Sequence, residues 1–441
     1  MHPATLATLS AVLAVSAAAA QEAPVLKGAD AFGDWRADRP GVWRLIRPDD
    51  LPPPFATDSA SNGADKVSAP KDARPQVPEG FSVERIASGI RNPRAARVAP
   101  NGDLFVADSR ADQVRVYRLG DDGKVAGKSI FAKGLDQPYG IAFHPAEKPQ
   151  WVYVANSGSV VRFPYREGDM QASGKPQTVV GDLPTGGHWT RDIAFSPDGA
   201  TLYVSVGSAS NVAEGMGEAP ADWIGGQAPG AAWGGEEGRA EVRAYDPDGG
   251  EGRVIATGLR NCSGLAVQPA TSALWCVVNE RDGLGDNAPF EYATTVKDGA
   301  FYGWPWYYIG TNEDPRHAGE RPDLAGGVIV PDVLMQAHSA PLGIAFYEGD
   351  QFPADYHGDA FVALHGSWNR GSRTGYKVVR LKFENGKPTG AYQDFMTGFV
   401  LSDAEVWGRP VGVAVAKDGA LIVTEDGSGT IWRVTYEAAK P

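Results

Sequence analysis

The sequence predicts an all-β protein, a six-bladed β-propeller with an irregular N-terminal arm. The prediction depends on a phrase that recurs six times: an apolar-small-apolar run, a turn, and a short strand rich in β-branched residues. The copies lie at 97–108, 141–156, 193–207, 265–279, 344–365 and 413–426. A hairpin repeated at intervals of about 45 to 80 residues cannot bury both of its faces alone, so it must stack on its copies. Six copies of a four-stranded unit close into a propeller.

Composition agrees with this fold and limits the partners. The 441 residues include 55 Gly, 33 Pro and 10% aromatic residues, which is typical of a protein of strands and turns. No helical periodicity is sustained beyond the N-terminus. The formal net charge of −13 speaks against nucleic acid and anionic membranes as partners, because both select basic patches.

The N-terminus has the pattern of an export signal. Residues 4–20 are apolar and small and end in a run of alanines, which predicts a signal peptide over 1–20 and a periplasmic or secreted protein. The run is too short and Ala-rich for a membrane span, although a disordered or tethered end remains an alternative. Residues 21–79 read as an arm and Pro-rich connector, and 80–441 as the propeller, whose first strand should start near Phe81.

Two cysteines occur in the fourth repeat. An exported protein is free to form a disulfide between Cys262 and Cys276. A hairpin that turns at 269–272 sets Leu265, not Cys262, opposite Cys276. Two small buried thiols are therefore at least as well supported as a disulfide.

The repeats also predict where a site would lie. In each copy the first strand runs to the turn and the second returns, so the residues before the first and after the second share one end of the propeller. Three long intervals, 208–240, 282–337 and 366–408, should emerge there, and long loops usually carry function. The residues at this end are Arg91, Gln137, His188, Arg260, His338 and Arg409 before the first strands, and Asp108, Asn156, Ser208, Arg281, His365 and Asp426 after the second.

This polar ring favours an anionic ligand, because arginines bind carboxylates and phosphates through paired hydrogen bonds. His188 follows two glycines and is a candidate base, with a strand-capping histidine as the alternative. For Arg260 the alternative is a salt bridge between blades. The Gly-broken loop 279–286 suits Ca²⁺, which prefers oxygen ligands, although a plain turn is equally consistent with it.

Several reaction classes lack their motifs in this chain. The sequence has no HExxH, no P-loop, no GxSxG elbow and no CxxC, which argues against the common zinc proteases, NTPases and α/β-hydrolases. Aromatic residues near the predicted site suit stacking on a flat ligand or a sugar, or else simple core packing; they are Trp189, Trp304, Trp306, Tyr307 and Trp368.

Taken together, the motifs resemble those of the soluble, pyrroloquinoline quinone (PQQ)-dependent glucose/sorbosone dehydrogenases, closest to the L-sorbosone dehydrogenase branch. The resemblance extends from about residue 78 to the C-terminus. The segments that carry it are 186–199, 206–211, 258–264, 279–286, 301–305, 338–347, 365–370 and 408–412.

The resemblance implies roles for individual residues. His188 matches the general base that takes a proton from the substrate hydroxyl while hydride goes to the quinone. Arg260 matches the arginine that stabilises the reduced quinone. The implied cofactor-binding set is Arg260, Asn261, Arg281, His338, Arg370 and Arg409. The loop after Glu280 matches the segment that holds Ca²⁺, with Asp282 and Gly283 as its expected ligands.

The chain departs from the glucose-type enzymes at two points. Where those enzymes have an aspartate that orients the base, this sequence has Ser208. The loops on the substrate side also differ, so glucose itself is not implied.

The sequence therefore predicts a quinoprotein that oxidises an aldose or a sugar-derived aldehyde such as sorbosone. Its partners would be a small sugar and an electron acceptor, a cytochrome c or a quinone, and it would not be integral to a membrane. The alternatives are a Ca²⁺-dependent lactonase-like propeller and a non-catalytic binding module.

Overall fold

The structure, a computed structural model, describes residues 24–221 and 223–437, so the predicted signal peptide at 1–20 lies outside the described residues. Within the described ranges no helix has the length and apolar character that a membrane crossing needs. The one α-helix there, α1, is a single turn at Trp223–Gly226. Short 3₁₀ helices occupy Gly28–Phe32, Trp35–Ala37, Pro48–Asp50, Ser109–Ala111, Gly234–Glu236, Pro322–Gly327 and Ala354–Tyr356.

The arm is attached to the body by strand pairing. Its strands are β1 (Val25–Lys27), β2 (Trp43–Leu45) and β3 (Asp65–Lys66). β1 pairs with β2, and β2 extends the outer edge of the fifth blade. The Arg44 guanidinium is fully buried there and binds the carboxylates of Asp394 (2.6 Å) and Asp38 (2.9 Å). The arm is thus an ordered part of the fold rather than a loose connector.

Six four-stranded blades confirm the predicted propeller. The strand β4 (Phe81–Ala87) starts where the sequence predicts the first strand. Blade 1 has β5 (Pro93–Val98), β6 (Leu104–Asp108), β7 (Gln113–Leu119) and β8 (Val125–Lys133). Blade 2 has β9 (Ile141–His144), β10 (Trp151–Ala155), β11 (Val160–Pro164) and β12 (Gln177–Val180). Blade 3 has β13 (Ile193–Phe195), β14 (Leu202–Val206), β15 (Glu241–Asp246) and β16 (Gly249–Thr257).

The remaining strands complete the ring. Blade 4 has β17 (Cys262–Val267), β18 (Leu274–Val278), β19 (Glu291–Thr295) and β23 (Val333–Met335). Three short strands lie between β19 and β23 along the chain: β20 (Ala300–Phe301), β21 (Tyr307–Tyr308) and β22 (Asn312–Glu313). Blade 5 has β24 (Pro341–Phe346), β25 (Ala360–Leu364), β26 (Lys377–Glu384) and β27 (Lys387–Met396). After β28 (Glu405–Val406), blade 6 has β29 (Pro410–Val415), β30 (Leu421–Glu425) and β31 (Thr430–Tyr436). β4 pairs with β31, so a strand from before blade 1 closes blade 6.

Glycines directly precede the repeated phrase in blades 5 and 6, and close packing of the inner strands near the propeller axis explains them. A Cβ on Gly343 would lie 2.5 Å from the carbonyl oxygen of Val411, and one on Gly412 would lie 2.5 Å from that of Arg94. Inner strands of neighbouring blades therefore pack backbone against backbone, which only glycine permits at these two positions.

Two of the three long intervals prove more regular than loops. The segment 282–337 contains the third and fourth strands of blade 4, and 366–408 contains those of blade 5. Their strands are short or carry polar residues at the blade edge, so their period-2 pattern is weak. The segment 208–240 has no strand among its described residues and runs over the end of blade 3.

The two cysteines form a disulfide in the structure. Leu265 pairs with Cys276 as the sequence predicts, but the register shifts between Cys262 and Gly264. The shift brings Cys262 within reach of Cys276, with Cα atoms 5.8 Å apart. Of the two alternatives that the sequence left open, the structure therefore has the disulfide; the expectation of two thiols assumed a regular hairpin.

Candidate functional site

His188 lies in the connection between β12 and β13, at the end of the propeller that the hairpin geometry predicts. Its Nδ1 is 3.0 Å from the main-chain oxygen of Ser208 and 2.9 Å from the Ser208 hydroxyl. A carbonyl oxygen can only accept a hydrogen bond, so Nδ1 carries the hydrogen and Nε2 keeps its lone pair. Burial and the positive charge of Arg260 lower the pKa of His188 to about 3. The imidazole is therefore neutral at ordinary pH, as a general base must be.

Arg260 is buried and fixed by four hydrogen bonds. It donates to the main-chain oxygen of Asn211 (3.0 Å), the side-chain oxygen of Asn211 (3.0 Å) and the main-chain oxygens of Asn279 (3.2 Å) and Glu280 (2.8 Å). Its nearest carboxylate is that of Asp282, at 3.6 Å. Neutral acceptors hold the guanidinium in place, and a fixed positive charge of this kind can stabilise a nearby anion.

Asp282 lies between Arg260 and His338. Its carboxylate is 3.6 Å from the guanidinium of Arg260 and 3.5 Å from Nδ1 of His338. Nε2 of His338 donates to the main-chain oxygen of Gly285 (2.9 Å). The main chain of Asp282 is held by the Asn211 amide at 2.8 and 3.0 Å. The structure thus brings Arg260 and His338 together around Asp282, which lies on the loop after β18.

Arg409 lies in a second cluster, with residues from blades 1, 5 and 6. Nε2 of His365 is 2.8 Å from the Asp426 carboxylate and 2.9 Å from Nε of Arg409, and Arg94 binds the same carboxylate at 2.8 Å. Burial and the charge of Arg409 lower the pKa of His365 to about 4. Burial alone would raise the pKa of Asp426, but His365, Arg94 and Arg409 together hold it well below its ordinary value.

An aromatic side chain joins the two clusters. The guanidinium of Arg94 is 5.6 Å from the ring centre of Trp189, the neighbour of His188, and 5.5 Å from that of Tyr139. Cations over aromatic faces at this distance attract one another. The two clusters therefore belong to one end of the propeller.

Two predicted cofactor residues have other partners in the structure. Arg281 donates both hydrogen bonds of a buried ion pair to Asp314 (2.8 and 3.0 Å). Arg370 donates to the main-chain oxygen of Phe32 (2.6 Å) and to Asn287 (3.0 Å), and so fastens the arm. No hydrogen bond or ion pair links either of them to His188 or Arg260 within the described ranges.

The remaining donors and acceptors fit a flat, anionic cofactor such as PQQ. Asn261 donates to the side chain of Asn279 (3.1 Å), but its own Oδ1 is buried without a hydrogen-bond donor. A Cβ on Gly207 would lie 2.6 Å from that oxygen and 2.7 Å from Cβ of His188, so glycine keeps the space between them open. Arg260 and Arg409 supply positive charge on this end. An unsatisfied buried acceptor beside fixed cations is the polarity expected where a ligand completes the bonding.

Fewer observations support a metal site than support a cofactor site. In the chain as described, no three His, Cys, Asp or Glu side chains converge as metal ligands. The Asp282 carboxylate, 3.6 Å from Arg260 and 3.5 Å from His338, is an oxygen ligand of the kind that Ca²⁺ prefers. Any cation here would otherwise depend on main-chain oxygens of this loop.

Most of the predicted aromatic platform is core. Trp304, Trp306 and Tyr307 are buried, and Nε1 of Trp304 donates to the main-chain oxygen of Asn211 (3.0 Å), behind Arg260. Trp368 differs, because half of its surface (51%) is exposed. Its neighbour Asn369 contacts Gly283 in the loop 279–286.

Sequence reasoning missed four residues that shape this site: Arg94, Asn211, Glu236 and Asp314. Asn211 lies in a long interval with no repeat pattern, and Arg94 sits inside an inner strand where a side chain would be expected in the core. Glu236 is buried and accepts hydrogen bonds from the main chain of Ala209 (2.7 Å) and the hydroxyl of Ser210. Asn211 ends the segment 206–211 that carries the family resemblance, which was the signal available for it, whereas no local pattern marked the other three.

Comparison with known proteins places the chain among related propellers. A family model described as TrAA12-like matches residues 75–296 and 324–437. The chain is 25% identical over 431 residues to a pyrroloquinoline quinone-dependent pyranose dehydrogenase of Coprinopsis cinerea, an alignment that covers 83% of this chain and 56% of that protein. The chain thus spans little more than half of that relative's length.

Solved structures agree on the fold. The holo form of the pyranose dehydrogenase PQQ domain from Coprinopsis cinerea superposes with a TM-score of 0.68 at 23% identity, covering 84% of this chain and 100% of that domain. The calcium structure of the Trichoderma reesei enzyme of Carbohydrate-Active Enzymes Family AA12 gives 0.69 at 22% identity, covering 85% and 99%. Residues 24–74 and 297–323 of the described chain lie outside the segments that the family model matches.

Proposed function

This chain belongs to the TrAA12-like family, and we propose that it is a PQQ-dependent dehydrogenase that oxidises a sugar or a sugar-derived aldehyde. The observation that carries the proposal is the pairing of a neutral His188, with Nε2 free, and a fixed Arg260 at one end of the propeller. The names of the relatives support the same reaction class.

The quinone, when bound, supplies a two-electron acceptor for the hydride that leaves the substrate carbon. His188 Nε2 takes the proton from the hydroxyl on that carbon, so that a carbonyl product forms. For an aldehyde substrate the same step acts on its hydrated form. The low pKa of His188 keeps the ring unprotonated at ordinary pH, so that Nε2 has a lone pair for this proton.

Arg260 and Arg409 have separate tasks. Arg260 holds positive charge beside the base and favours negative charge that develops on a neighbouring oxygen. Arg409 and Arg94 give this end of the propeller the positive charge that a carboxylate-bearing cofactor needs. The unpaired side-chain oxygen of Asn261 would accept a hydrogen bond from an N–H or O–H group of the same ligand.

Finer assignments extend this proposal. Ca²⁺ would bind at Asp282 and Gly283, where it would act as a Lewis acid on the cofactor. The substrate would be an aldose or a sorbosone-like aldehyde, and the electrons would pass to a cytochrome c or a quinone. The apolar start of the sequence supports a periplasmic or secreted location.

Reconstitution tests the proposal. Protein mixed with PQQ and Ca²⁺ should reduce an artificial dye when sugars are added, and His188→Gln should lose this activity by at least about 10²-fold, the scale of general base catalysis. His357→Gln is the matched control, because His357 lies on the surface. Lactone hydrolysis without quinone would instead favour the hydrolase, and glycan binding without any dye reduction would favour the binding module.

A further inference from the structure

Ser208 places two oxygen atoms within 3.0 Å of the His188 ring, and this contact gives it a defined task. We propose that Ser208 is the positioning residue of His188: its carbonyl and hydroxyl oxygens accept the Nδ1 hydrogen and so turn the unprotonated Nε2 toward the substrate. The catalytic meaning of this inference rests on the proposed function, whereas the tautomer itself does not.

Hydrogen-bond directions leave one arrangement for the ring. The Ser208 hydroxyl donates to the main-chain oxygen of Ser210 (2.7 Å), so its lone pairs face the imidazole. The Ser208 carbonyl also accepts from the main-chain N–H of His188 (3.0 Å). Both oxygens near Nδ1 are therefore acceptors, and only the Nδ1-protonated tautomer satisfies them.

The same residue links the base to the arginine. The main-chain N–H of Ser208 donates to the carbonyl oxygen of Arg260 (2.7 Å). One residue thus fixes the backbone of His188 on one side and that of Arg260 on the other. A shift of Ser208 would move both groups together.

Two buried charged side chains hold Ser208 in place. Glu236 accepts from Ala209 and Ser210, the next two residues. Arg239 donates to the main-chain oxygens of Gly186 (3.2 Å) and Gly207 (3.4 Å), which precede His188 and Ser208. Gly187 lies so close to the Ala209 carbonyl that a Cβ would clash with it. These contacts make a rigid support, which a positioning role requires.

A neutral acceptor has a consequence for the basicity of His188. The charged groups that act on the ring are Arg260, Arg191 and Asp282, and two of the three are cationic. The imidazolium form therefore has no carboxylate in contact with Nδ1 to stabilise it. An aspartate at position 208 would supply that carboxylate and raise the pKa of His188.

Nitrogen-15 NMR of the histidine rings in protein without cofactor tests the geometry independently of activity. His188, assigned by the signal lost in His188→Gln, should show a protonated Nδ1, an unprotonated Nε2 and no titration between pH 5 and 8. In Ser208→Asp its midpoint should rise by at least one pH unit. Ser82→Asp, on the exposed face of β4, is the matched control and should change nothing.

Kinetics of the reconstituted enzyme give the second readout. Ser208→Ala keeps the carbonyl and loses one hydrogen bond, so kcat should fall about 2- to 10-fold with KM unchanged. Ser208→Asp should move the acidic limb of the kcat profile upward in pH. A wild-type His188 protonated on Nε2, or a Ser208→Asp variant with an unmoved midpoint, would overturn the inference.

The two proposals fail separately. An inactive wild type whose His188 has the expected tautomer would contradict the proposed function and leave the positioning geometry intact. An active enzyme whose His188 is protonated on Nε2 would contradict only the role of Ser208. If Ser208→Asp does not fold, the wild-type tautomer and the Ser208→Ala kinetics still decide the question.

Discussion

The Arg281 guanidinium binds both carboxylate oxygens of Asp314, at 3.0 and 2.8 Å, in a pair that is almost fully buried. Arg281 belongs to the loop that carries Asp282, whereas Asp314 belongs to the segment 297–323 outside the family match. A segment that the family model does not include therefore supports the central loop of the site. Arg281 also donates to the carbonyl of Asp282 (2.9 Å), which ties the ion pair directly to that residue.

Asp314→Asn should destabilise the protein and loosen this loop. Removing one charge of a buried pair leaves the other uncompensated, which costs about 3–5 kcal/mol. Urea unfolding followed by fluorescence measures the loss. Asp323→Asn removes the exposed partner of Arg321 and should cost less than about 1 kcal/mol. Equal losses in the two variants would contradict the supporting role of Asp314.

Arg260→Lys should reduce turnover far more than it reduces stability. Lysine keeps the charge but cannot reach the four acceptors that fix the guanidinium. We expect kcat to fall about 10²-fold, comparable to the loss of one oxyanion donor. Steady-state kinetics with Arg253→Lys as the exposed control measures this. Full activity in Arg260→Lys would show that point charge alone suffices.

The stability that His188 and His365 contribute should decline as the pH falls below about 6.5. The pKa values of His188 and His365 are about 3 and about 4 in the folded protein, below the 6.5 of a free histidine. The unfolded chain therefore binds more protons at low pH, so stability is present above pH 6.5 and declines as the pH falls toward 3. Unfolding free energies at a series of pH values should show a smaller slope in His365→Gln than in His357→Gln.

Cys262→Ser should lower the free energy of unfolding by about 2–4 kcal/mol, the usual contribution of a disulfide. Both cysteines are fully buried, so the loss combines the covalent link with disturbed packing. Thermal unfolding with and without reductant separates the two contributions. A wild type that is insensitive to reductant during unfolding, with two titratable thiols, would contradict the disulfide.

Local pattern in the sequence was enough to predict the fold and the end of the propeller on which the site lies. Alternating apolar residues and Gly-containing turns predict the hairpins. The ends of their strands bring Ser208 beside His188 and Asp426 beside Arg409. The repeats do not encode contacts between distant loops. Asp314 contacts Arg281 across 33 residues of intervening chain, and Arg370 donates to the main-chain oxygen of Phe32 in the arm. Such pairings depend on how loops fold over one another, which periodicity does not describe.

We propose that His188 accepts the substrate proton while the sugar is oxidised. A single-turnover experiment tests it most directly: protein loaded with PQQ and Ca²⁺ is mixed with excess sugar, and the absorption change of the cofactor is followed with time. The account predicts rapid reduction in the wild type and in His357→Gln, and reduction at least about 10²-fold slower in His188→Gln at equal cofactor occupancy. Equally fast reduction in His188→Gln would contradict it.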